Sequence, residues 1–196
     1  MHDEEDWGDG RETLRSGVLF DRGAYALVSR AVHDETRLDG RNKGVLEVRL
    51  RPATDPGAII RVLVVHLKCC ADGRAIRSRQ HAALRTIVAG ATRSGDRVVV
   101  LGDFNATDDD GDRVDLAELA AHVGLVWATE GVACSAFWLR EDGCWRSRLD
   151  HVLTWNAPAR VEVAGACATE GCERQDRCPL YRDRISDHCP VIVTVP

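Results

Sequence analysis

The segment VVVLGDFN spans residues 98–105 and joins an apolar run to a polar end. Consecutive aliphatic residues of this kind are typical of a strand buried on both faces. Gly102 ends the run, and Asp103 and Asn105 follow it closely. Asp and Asn also favour simple turns after strands, so the segment alone does not decide between a loop and a site. If the strand is buried, it fixes the backbone and holds these polar side chains in place for chemistry.

Three further segments repeat this arrangement of apolar strand and polar tip. Residues 62–65 read VLVV and run into His66, residues 149–153 read LDHVL, and SDHCP at 186–190 precedes the apolar VIVTV. Carboxylates, an amide and imidazoles are the groups that hard-metal binding and acid–base chemistry require. The candidate site residues are therefore His66, Asp103, Asn105, Asp150, Asp187 and His188.

The remaining hydrophobic pattern predicts an α+β protein in which strands outnumber helices. Helices are predicted over residues 74–91 and 116–123, with Asp115 as the cap of the second and Arg77 on a solvated face of the first. Strands are predicted at 18–20, 25–28, 45–50, 59–67, 98–101, 125–128, 136–139, 149–155, 161–166 and 191–195. The first two of these strands flank the turn signal DRG at 21–23 and read as a hairpin. We expect an acidic, poorly ordered segment over residues 1–16 and one domain over residues 17–196.

Composition excludes several classes of protein. The chain has 196 residues, of which 44% are hydrophobic and 29% charged, as in ordinary globular proteins and unlike disordered or fibrous ones. No apolar run approaches the roughly 20 residues of a membrane helix, so no membrane span is expected. The net charge of −5 is the opposite of the basic balance typical of a stable nucleic-acid binder. It leaves room for an enzyme that contacts a phosphodiester only briefly.

Eight cysteines favour disulfides and an oxidising compartment. Ligand pairs with the spacing of a zinc site are missing from the sequence, and the connectivity of the cysteines is not readable from it. Cys69 and Cys70 are neighbours and would need different partners. The first ten residues lack the positive and apolar regions of a secretory signal. We therefore expect a secreted or extracytoplasmic protein whose given sequence carries no signal peptide.

The motifs together resemble the endonuclease/exonuclease/phosphatase superfamily, which has the DNase I-like fold. GDFN at 102–105 and SDHCP at 186–190 resemble its signature, and HLK at 66–68 and LDHVL at 149–153 resemble its intermediate motifs in the same order. Arg79-Gln80 resembles a recurrent pair on the intervening helix. The resemblance implies a two-sheet αββα sandwich and divalent-metal-dependent cleavage of phosphoester bonds.

The resemblance also implies a role for each candidate residue. Asp103 would orient or deprotonate the attacking water and neighbour the metal, while Asp187 would bind or neighbour Mg²⁺ or Mn²⁺. Asn105, His66 and His188 would contact the phosphate of the substrate. Asp150 would hold His188 in its productive tautomer. Catalytic roles thus fall to Asp103, Asn105, His66, Asp150 and His188.

One part of the family pattern has no counterpart in this sequence. The family begins with a strand, a helix and a second strand that carries a metal-binding Glu, a unit of about 40 residues by typical element lengths. Glu4, Glu5 and Glu12 do not follow a suitable strand, so none is assigned as this ligand. We expect an N-terminally incomplete domain, because the cysteine content is typical of an exported protein while the given sequence carries no signal peptide. The alternative is a member that has lost its principal metal ligand.

Three functions follow from these observations. A phosphodiesterase, most plausibly a nuclease, is the leading hypothesis, with a phosphodiester such as nucleic acid as partner and a monomer as the expected state. A phosphatase or phosphodiesterase acting on a small molecule or lipid headgroup is the alternative that the acidic balance favours. A non-catalytic binding module on the same scaffold is the rival from another class. Retention of all the candidate residues argues against that module.

Overall fold

The computed structural model describes residues 16–38, 42–106 and 110–196, with only the backbone described for Asp110. Within this part, the chain forms two compact units, Met1–Gly102 and Asp103–Pro196. The predicted acidic segment falls almost entirely on residues outside the description, as do Glu4, Glu5 and Glu12. The predicted extent of the domain stays a prediction. Sheets and helices occur together, which confirms the α+β class.

The first unit contains four strands and one long helix. The strands are β1 (Tyr25–His33), β2 (Val45–Pro52), β3 (Ile60–His66) and β4 (Arg97–Asp103), the last of which runs into the second unit, and they lie in the order β1-β2-β3-β4. Strand β2 is antiparallel to both β1 and β3. The helix, α1 (Arg74–Arg93), buries Leu84, Val88 and Ala91 on one stripe, as its apolar spacing predicts.

Gly102 occupies a position in β4 that only glycine fits. Its φ of +130° lies in the region that side chains other than glycine rarely adopt. A Cβ atom at this position would collide with the carbonyl oxygen of Val65 in β3. The glycine of GDFN therefore allows the backbones to approach closely where the polar end of β4 begins.

The predicted hairpin of residues 18–20 with 25–28 is wrong. Asp21 instead closes a turn, since its carboxylate accepts the N–H of Gly23 at 2.7 Å and its carbonyl accepts the N–H of Tyr25 at 2.9 Å. Val18 and Phe20 pack against the apolar cluster of β2 and β3, and β1 pairs with β2. The sequence DRG does form a turn, but residues 18–20 before it form no strand and contribute apolar side chains to the core instead.

The second unit carries short strands and three helices. The helices are α2 (Asp110–Val123), α3 (Ala166–Glu170) and α4 (Leu180–Arg184). Three antiparallel strand pairs are formed by β5 (Val126–Trp127) with β8 (Asp150–Thr154), β6 (Ala136–Arg140) with β7 (Gly143–Ser147), and β9 (Arg160–Val163) with β10 (Val191–Thr194). Among the described residues of both units, no helix combines the length and apolarity needed to cross a membrane.

Helix α2 begins earlier than predicted. Its apolar stripe matches the prediction, since Leu116 and Leu119 are buried. The helix starts at Asp110, however, so Asp115 lies inside it and does not cap it. Asp112 is fully buried, although the acidic run at 108–112 reads as a solvated loop; residues 107–109 lie outside the description. Burial of this carboxylate is a tertiary effect that composition does not encode.

Three disulfides link the second unit, and they connect Cys134 with Cys172, Cys144 with Cys178, and Cys167 with Cys189. The six cysteines form an apolar cluster together with Phe137, Ala166, Val163 and Tyr181. Disulfides of this kind confirm the expectation of oxidised cysteines. Cys69 and Cys70 are not part of them and are free cysteines.

A partly buried ion pair in the first unit predicts a pH-dependent contribution to stability. His33 Nε2 lies 3.0 Å from Glu47 Oε2 and its Nδ1 lies 3.2 Å from Glu35 Oε1, while Arg61 also contacts Glu47. The hydrogen bond to Glu47 raises the pKa of His33 above its ordinary 6.5, and this bond and Arg61 lower the pKa of Glu47 against the opposing effect of burial. The pair is therefore fully charged, and contributes most, between about pH 4.5 and 6.5.

We expect His33→Gln to lower the free energy of unfolding by about 1–2 kcal/mol near pH 6. The loss should shrink as the pH rises through the raised pKa of His33, because the wild-type imidazole then becomes neutral. Urea unfolding at pH 6 and pH 9 measures the difference. The exposed His122 provides the control variant His122→Gln, which should change little at either pH. An equal loss at both pH values would contradict the charged pair.

Candidate functional site

Five of the six predicted site residues lie in the second unit. Asp103 is the last residue of β4, and Asn105 lies two residues after it. Asp150 is the first residue of β8, and Asp187 and His188 lie shortly before β10, which begins at Val191. The sixth, His66, ends β3 in the first unit. The polar residues therefore occupy strand ends, as the apolar patterns predict.

Asp103 and Asn105 form a tight polar turn. The backbone N–H of Asn105 donates to Asp103 Oδ1 at 2.8 Å, and Asn105 Nδ2 donates to Asp103 Oδ2 at 3.0 Å. Asn105 has a φ of +49°, a conformation that asparagine tolerates better than most residues. Phe104 is fully buried between them, and its N–H donates to the carbonyl of Leu149 at 3.0 Å. This bond fixes the turn beside the residue that precedes Asp150.

Asp150 and His188 form a direct pair, with 2.8 Å between Asp150 Oδ2 and His188 Nδ1. The backbone holds the histidine as well, because its N–H donates to Ser186 Oγ at 3.0 Å and a β-bridge joins it to Ala136. Phe137 N–H donates to the carbonyl of Asp187 at 2.7 Å. A carboxylate at Nδ1 leaves Nε2 as the ring nitrogen that could face a substrate. The orienting role of Asp150 stays a prediction.

Ser135 holds this pair in place, and the sequence analysis missed it. The side chain is fully buried, and its Oγ donates to Asp150 Oδ2 at 2.7 Å. The same oxygen accepts the backbone N–H groups of Leu149 at 3.1 Å and Asp150 at 3.0 Å. The Ser135 carbonyl in turn accepts the N–H of Cys189 at 2.7 Å. One residue thus connects the start of β8 to the segment that carries His188, a link that no local sequence pattern marks.

We expect Ser135→Ala to lower the free energy of unfolding by about 1–3 kcal/mol, because it removes the acceptor of the Leu149 and Asp150 backbone N–H groups and one of the two donors to Asp150 Oδ2. Chemical unfolding monitored by tryptophan fluorescence measures the loss. Ser94→Ala is the matched control, since Ser94 is exposed and its hydroxyl donates only to the Gly90 carbonyl. Equal stability of the two variants would mean that Ser135 does not carry this network.

Negative charge surrounds His188. The hydrogen bond to Asp150, and secondarily the charges of Asp150, Asp103 and Asp187, raise the pKa of His188 to about 9 despite partial burial. The imidazole of the protein without ligands is therefore protonated at neutral pH. Since Asp103 and Asp187 both act on this ring, the structure brings the two predicted metal ligands and the predicted phosphate contact into one electrostatic environment.

His66 has a separate set of partners within the first unit. Lys43 Nζ lies 2.8 Å from His66 Nδ1, a contact that the sequence analysis did not foresee. Gln80, of the Arg79-Gln80 pair, lies on α1 and is fully buried. Its Oε1 accepts the N–H of Lys68 at 2.9 Å, and its Nε2 donates to the Thr36 carbonyl at 3.1 Å. Gln80 therefore fixes the chain just after His66. The catalytic role of His66 stays a prediction.

Arg77 and His151 illustrate structural use of polar residues. Arg77 was expected on a solvated face, but it is 2% exposed, and its Nη1 donates to the carbonyls of Lys68 and Cys70 at 3.0 and 2.7 Å. Burial lowers the pKa of His151 to about 4, and Trp127 Nε1 donates to its Nδ1 at 3.2 Å. His151 is thus a neutral core residue.

The donors of the second unit fit a hard divalent cation. Within the described ranges, no group of three or more His, Cys, Asp or Glu side chains is placed to hold a metal ion. Mg²⁺, however, is often bound through only one or two carboxylates, with water and substrate phosphate completing its shell. Asp103 and Asp187 supply two carboxylates whose charges converge on His188. This donor set suits Mg²⁺ or Mn²⁺ better than a soft metal.

Comparisons with solved structures show the same fold. The human Nocturnin catalytic domain with bound sulfate superimposes with a TM-score of 0.59 at 19% identity, covering 89% of this chain and 62% of that one. The 3′ phosphatase NExo from Neisseria, bound to a product DNA hairpin, gives 0.60 at 18% identity, covering 87% of this chain and 72% of that one. D. rerio TDP2 complexed with a single-strand DNA product gives 0.56 at 16% identity, covering 88% and 68%. These likenesses confirm the predicted DNase I-like fold.

Sequence comparison gives the family. A search of curated proteins finds no match. The profile described as Endonuclease/Exonuclease/phosphatase family matches residues 21–188, a range that includes every candidate site residue. The name of that family covers nucleases and phosphatases, which both hydrolyse phosphoesters. This chain belongs to the endonuclease/exonuclease/phosphatase family.

Proposed function

We propose that this chain is a divalent-metal-dependent phosphoester hydrolase that acts on phosphodiesters, with nucleic acid as the leading substrate. The observation that carries the proposal is the 2.8 Å bond between Asp150 and His188, with the Asp103 and Asp187 carboxylates acting on the same ring. A buried serine that fixes the pair further supports a site built for positioning rather than a chance surface cluster.

The second unit supplies residues for each part of such a reaction. Asp103 orients or deprotonates the attacking water, and its turn with Asn105 fixes the direction of the carboxylate. Asn105 and His188 contact phosphate oxygens as hydrogen-bond donors, and Asp150 maintains the orientation of His188. His66, in the first unit, is proposed as a further phosphate contact on the strength of its motif.

Asp103 and Asp187 are the proposed ligands of Mg²⁺ or Mn²⁺. A bound cation of this kind neutralises the charge that develops on phosphate oxygens during hydrolysis. The same two carboxylates would then be shielded from His188. In the absence of a cation they lie in the field of the imidazole and contribute to its raised pKa.

Two substrate classes remain, each with an observation in its favour. Nucleic acid is favoured by the similarity in fold to TDP2 with a DNA product and to the 3′ phosphatase NExo with a DNA hairpin. A small-molecule or lipid-headgroup phosphoester is the second candidate, since a net charge of −5 opposes binding of a polyanion. The three disulfides support the proposal that the enzyme works in an oxidising, extracytoplasmic compartment.

A substrate panel tests this proposal. Plasmid DNA, single-stranded DNA, bis(p-nitrophenyl) phosphate and p-nitrophenyl phosphate are incubated with the disulfide-intact protein and Mg²⁺ or Mn²⁺. We expect turnover of the diesters, with DNA preferred. Preference for the monoester would select the phosphatase alternative, while failure of every substrate would contradict the hydrolase. His188→Ala, run in parallel, excludes a contaminating nuclease, because the substitution changes the activity of this chain and leaves that of a contaminant unchanged.

A further inference from the structure

Two adjacent cysteines lie outside the three disulfides. Of eight cysteines, six are paired, and Cys69 and Cys70 are thiols. Their sulfur atoms are 2.7 Å apart, Cys70 is exposed and Cys69 is partly exposed. We propose that Cys69 and Cys70 are a redox modification site, at which a low-molecular-weight disulfide such as oxidised glutathione converts the two thiols into a vicinal disulfide.

The backbone around these cysteines is fixed by a buried side chain. Arg77, on α1, is 2% exposed and donates to the carbonyls of both Lys68 and Cys70. Gly73 N–H also donates to the Cys70 carbonyl, at 3.1 Å. Cys70 adopts a φ of +73°, which is costly for a residue with a side chain and persists only where surrounding contacts impose it. The fold therefore holds the two sulfurs together rather than leaving them on a freely moving loop.

The remaining cysteines give this pair no other partner within the chain. All six lie in the second unit and are already joined to each other. An oxidising compartment that forms those three bonds also presents oxidants to an exposed thiol. Under these conditions the pair must close on itself, bind a small thiol, or link two chains. The short distance between the sulfurs favours closure.

The chemistry balances with one small disulfide. A thiolate of the pair attacks a sulfur of oxidised glutathione, forming a mixed disulfide and releasing one glutathione thiol. The neighbouring thiolate then attacks the protein sulfur of that mixed disulfide and releases the second glutathione. Two electrons and two protons pass from the cysteine pair to the glutathione disulfide, and one S–S bond forms for each one broken.

The vicinal bond should be easier to reduce than the other three. Adjacent Cα atoms are about 3.8 Å apart, below the roughly 4.4–6.8 Å of ordinary disulfides, so the closed ring is strained. Cys70 is also exposed and Cys69 partly exposed, while Cys134, Cys144, Cys167 and Cys189 are buried. Strained and exposed disulfides have more oxidising potentials. The site would therefore respond to ambient thiols while the rest of the fold stays oxidised.

Peptide mapping tests the proposal directly. Trypsin cleaves after Lys68 and Arg74, which releases residues 69–74 with both cysteines and no others. The folded protein is equilibrated with oxidised glutathione, alkylated and digested without reduction. We expect this peptide unalkylated and lighter by two hydrogen atoms than the dithiol form. A doubly alkylated peptide, a stable glutathione adduct or a link to another chain would overturn the proposal.

A variant and a titration complete the test. Cys70→Ser should lose the lighter peptide completely and leave Cys69 alkylated or joined to glutathione. In graded ratios of reduced to oxidised glutathione, the wild-type pair should open before any of the three other disulfides. Opening after one of them would overturn the proposed redox role. The titration uses only the wild-type chain, so it decides the question even if the variant fails to fold.

Discussion

Asp150→Asn is expected to lower kcat for phosphodiester hydrolysis by about 10²–10⁴-fold with little change in KM. Asp150 Oδ2 contacts both Ser135 Oγ and His188 Nδ1, at 2.7 and 2.8 Å. An asparagine of nearly the same shape can place its single acceptor oxygen on both partners, but it carries no negative charge. It therefore no longer stabilises the protonated imidazole of His188, whose pKa Asp150 raises. Steady-state kinetics at saturating metal measures the change.

Asp183→Asn is the matched control for this variant. Asp183 lies in the same unit, is exposed and pairs with its neighbour Arg182 at 3.0 Å. It should retain the wild-type kcat, because surface pairs of this kind contribute little. Comparable activity of the two variants would show that the Asp150–His188 pair does not position a catalytic group. A rise in KM with an unchanged kcat would instead place Asp150 in substrate binding.

The second large effect concerns the disulfide between Cys167 and Cys189. Removing it by replacing both cysteines with alanine should lower the free energy of unfolding by about 3 kcal/mol, given the 22-residue separation. Cys189 directly follows His188, and its N–H donates to the carbonyl of Ser135. Loss of this bridge loosens the segment that carries Asp187 and His188. We therefore expect kcat to fall well below the level that the stability loss alone would cause.

The disulfide between Cys144 and Cys178 is the control for this comparison. Its sequence separation of 34 predicts a similar loss of stability, about 3 kcal/mol, when both cysteines are replaced by alanine. Neither cysteine is adjacent to a site residue in the chain. Activity below the unfolding transition should therefore be retained in this variant and reduced in the other. Equal activity of the two double variants would contradict a specific role of the Cys167–Cys189 bridge at the site.

The sequence predicted the elements with the strongest patterns. Strands β3 and β4 contain nearly continuous apolar runs, β2 largely alternates apolar and charged residues, and α1 carries a clear stripe, so local composition was sufficient for them. The site residues were recognisable because the four short motifs, HLK, GDFN, LDHVL and SDHCP, lie at the ends of strands. Their order along the chain resembled a known family, which the profile match confirmed.

The parts that escaped prediction depend on tertiary contacts. Ser135 has no distinguishing neighbours, and its importance arises only because β8 and the segment of Cys189 meet at its hydroxyl and carbonyl. Arg77 has the sequence context of a surface arginine, but its guanidinium is buried because it donates to the loop carbonyls of Lys68 and Cys70. Strand β7 was not predicted, since charged residues interrupt its apolar pattern.

Hydrolysis of bis(p-nitrophenyl) phosphate, followed continuously as the metal is removed and restored, tests the central claim most directly. Wild type and His188→Ala are assayed in parallel with Mn²⁺, then with excess chelator, then with Mn²⁺ added back. We expect wild-type turnover that stops with chelator and returns with metal, and a far lower rate in the variant at both stages with Mn²⁺. Wild-type turnover that is missing, insensitive to chelator or equal to that of the variant would contradict it.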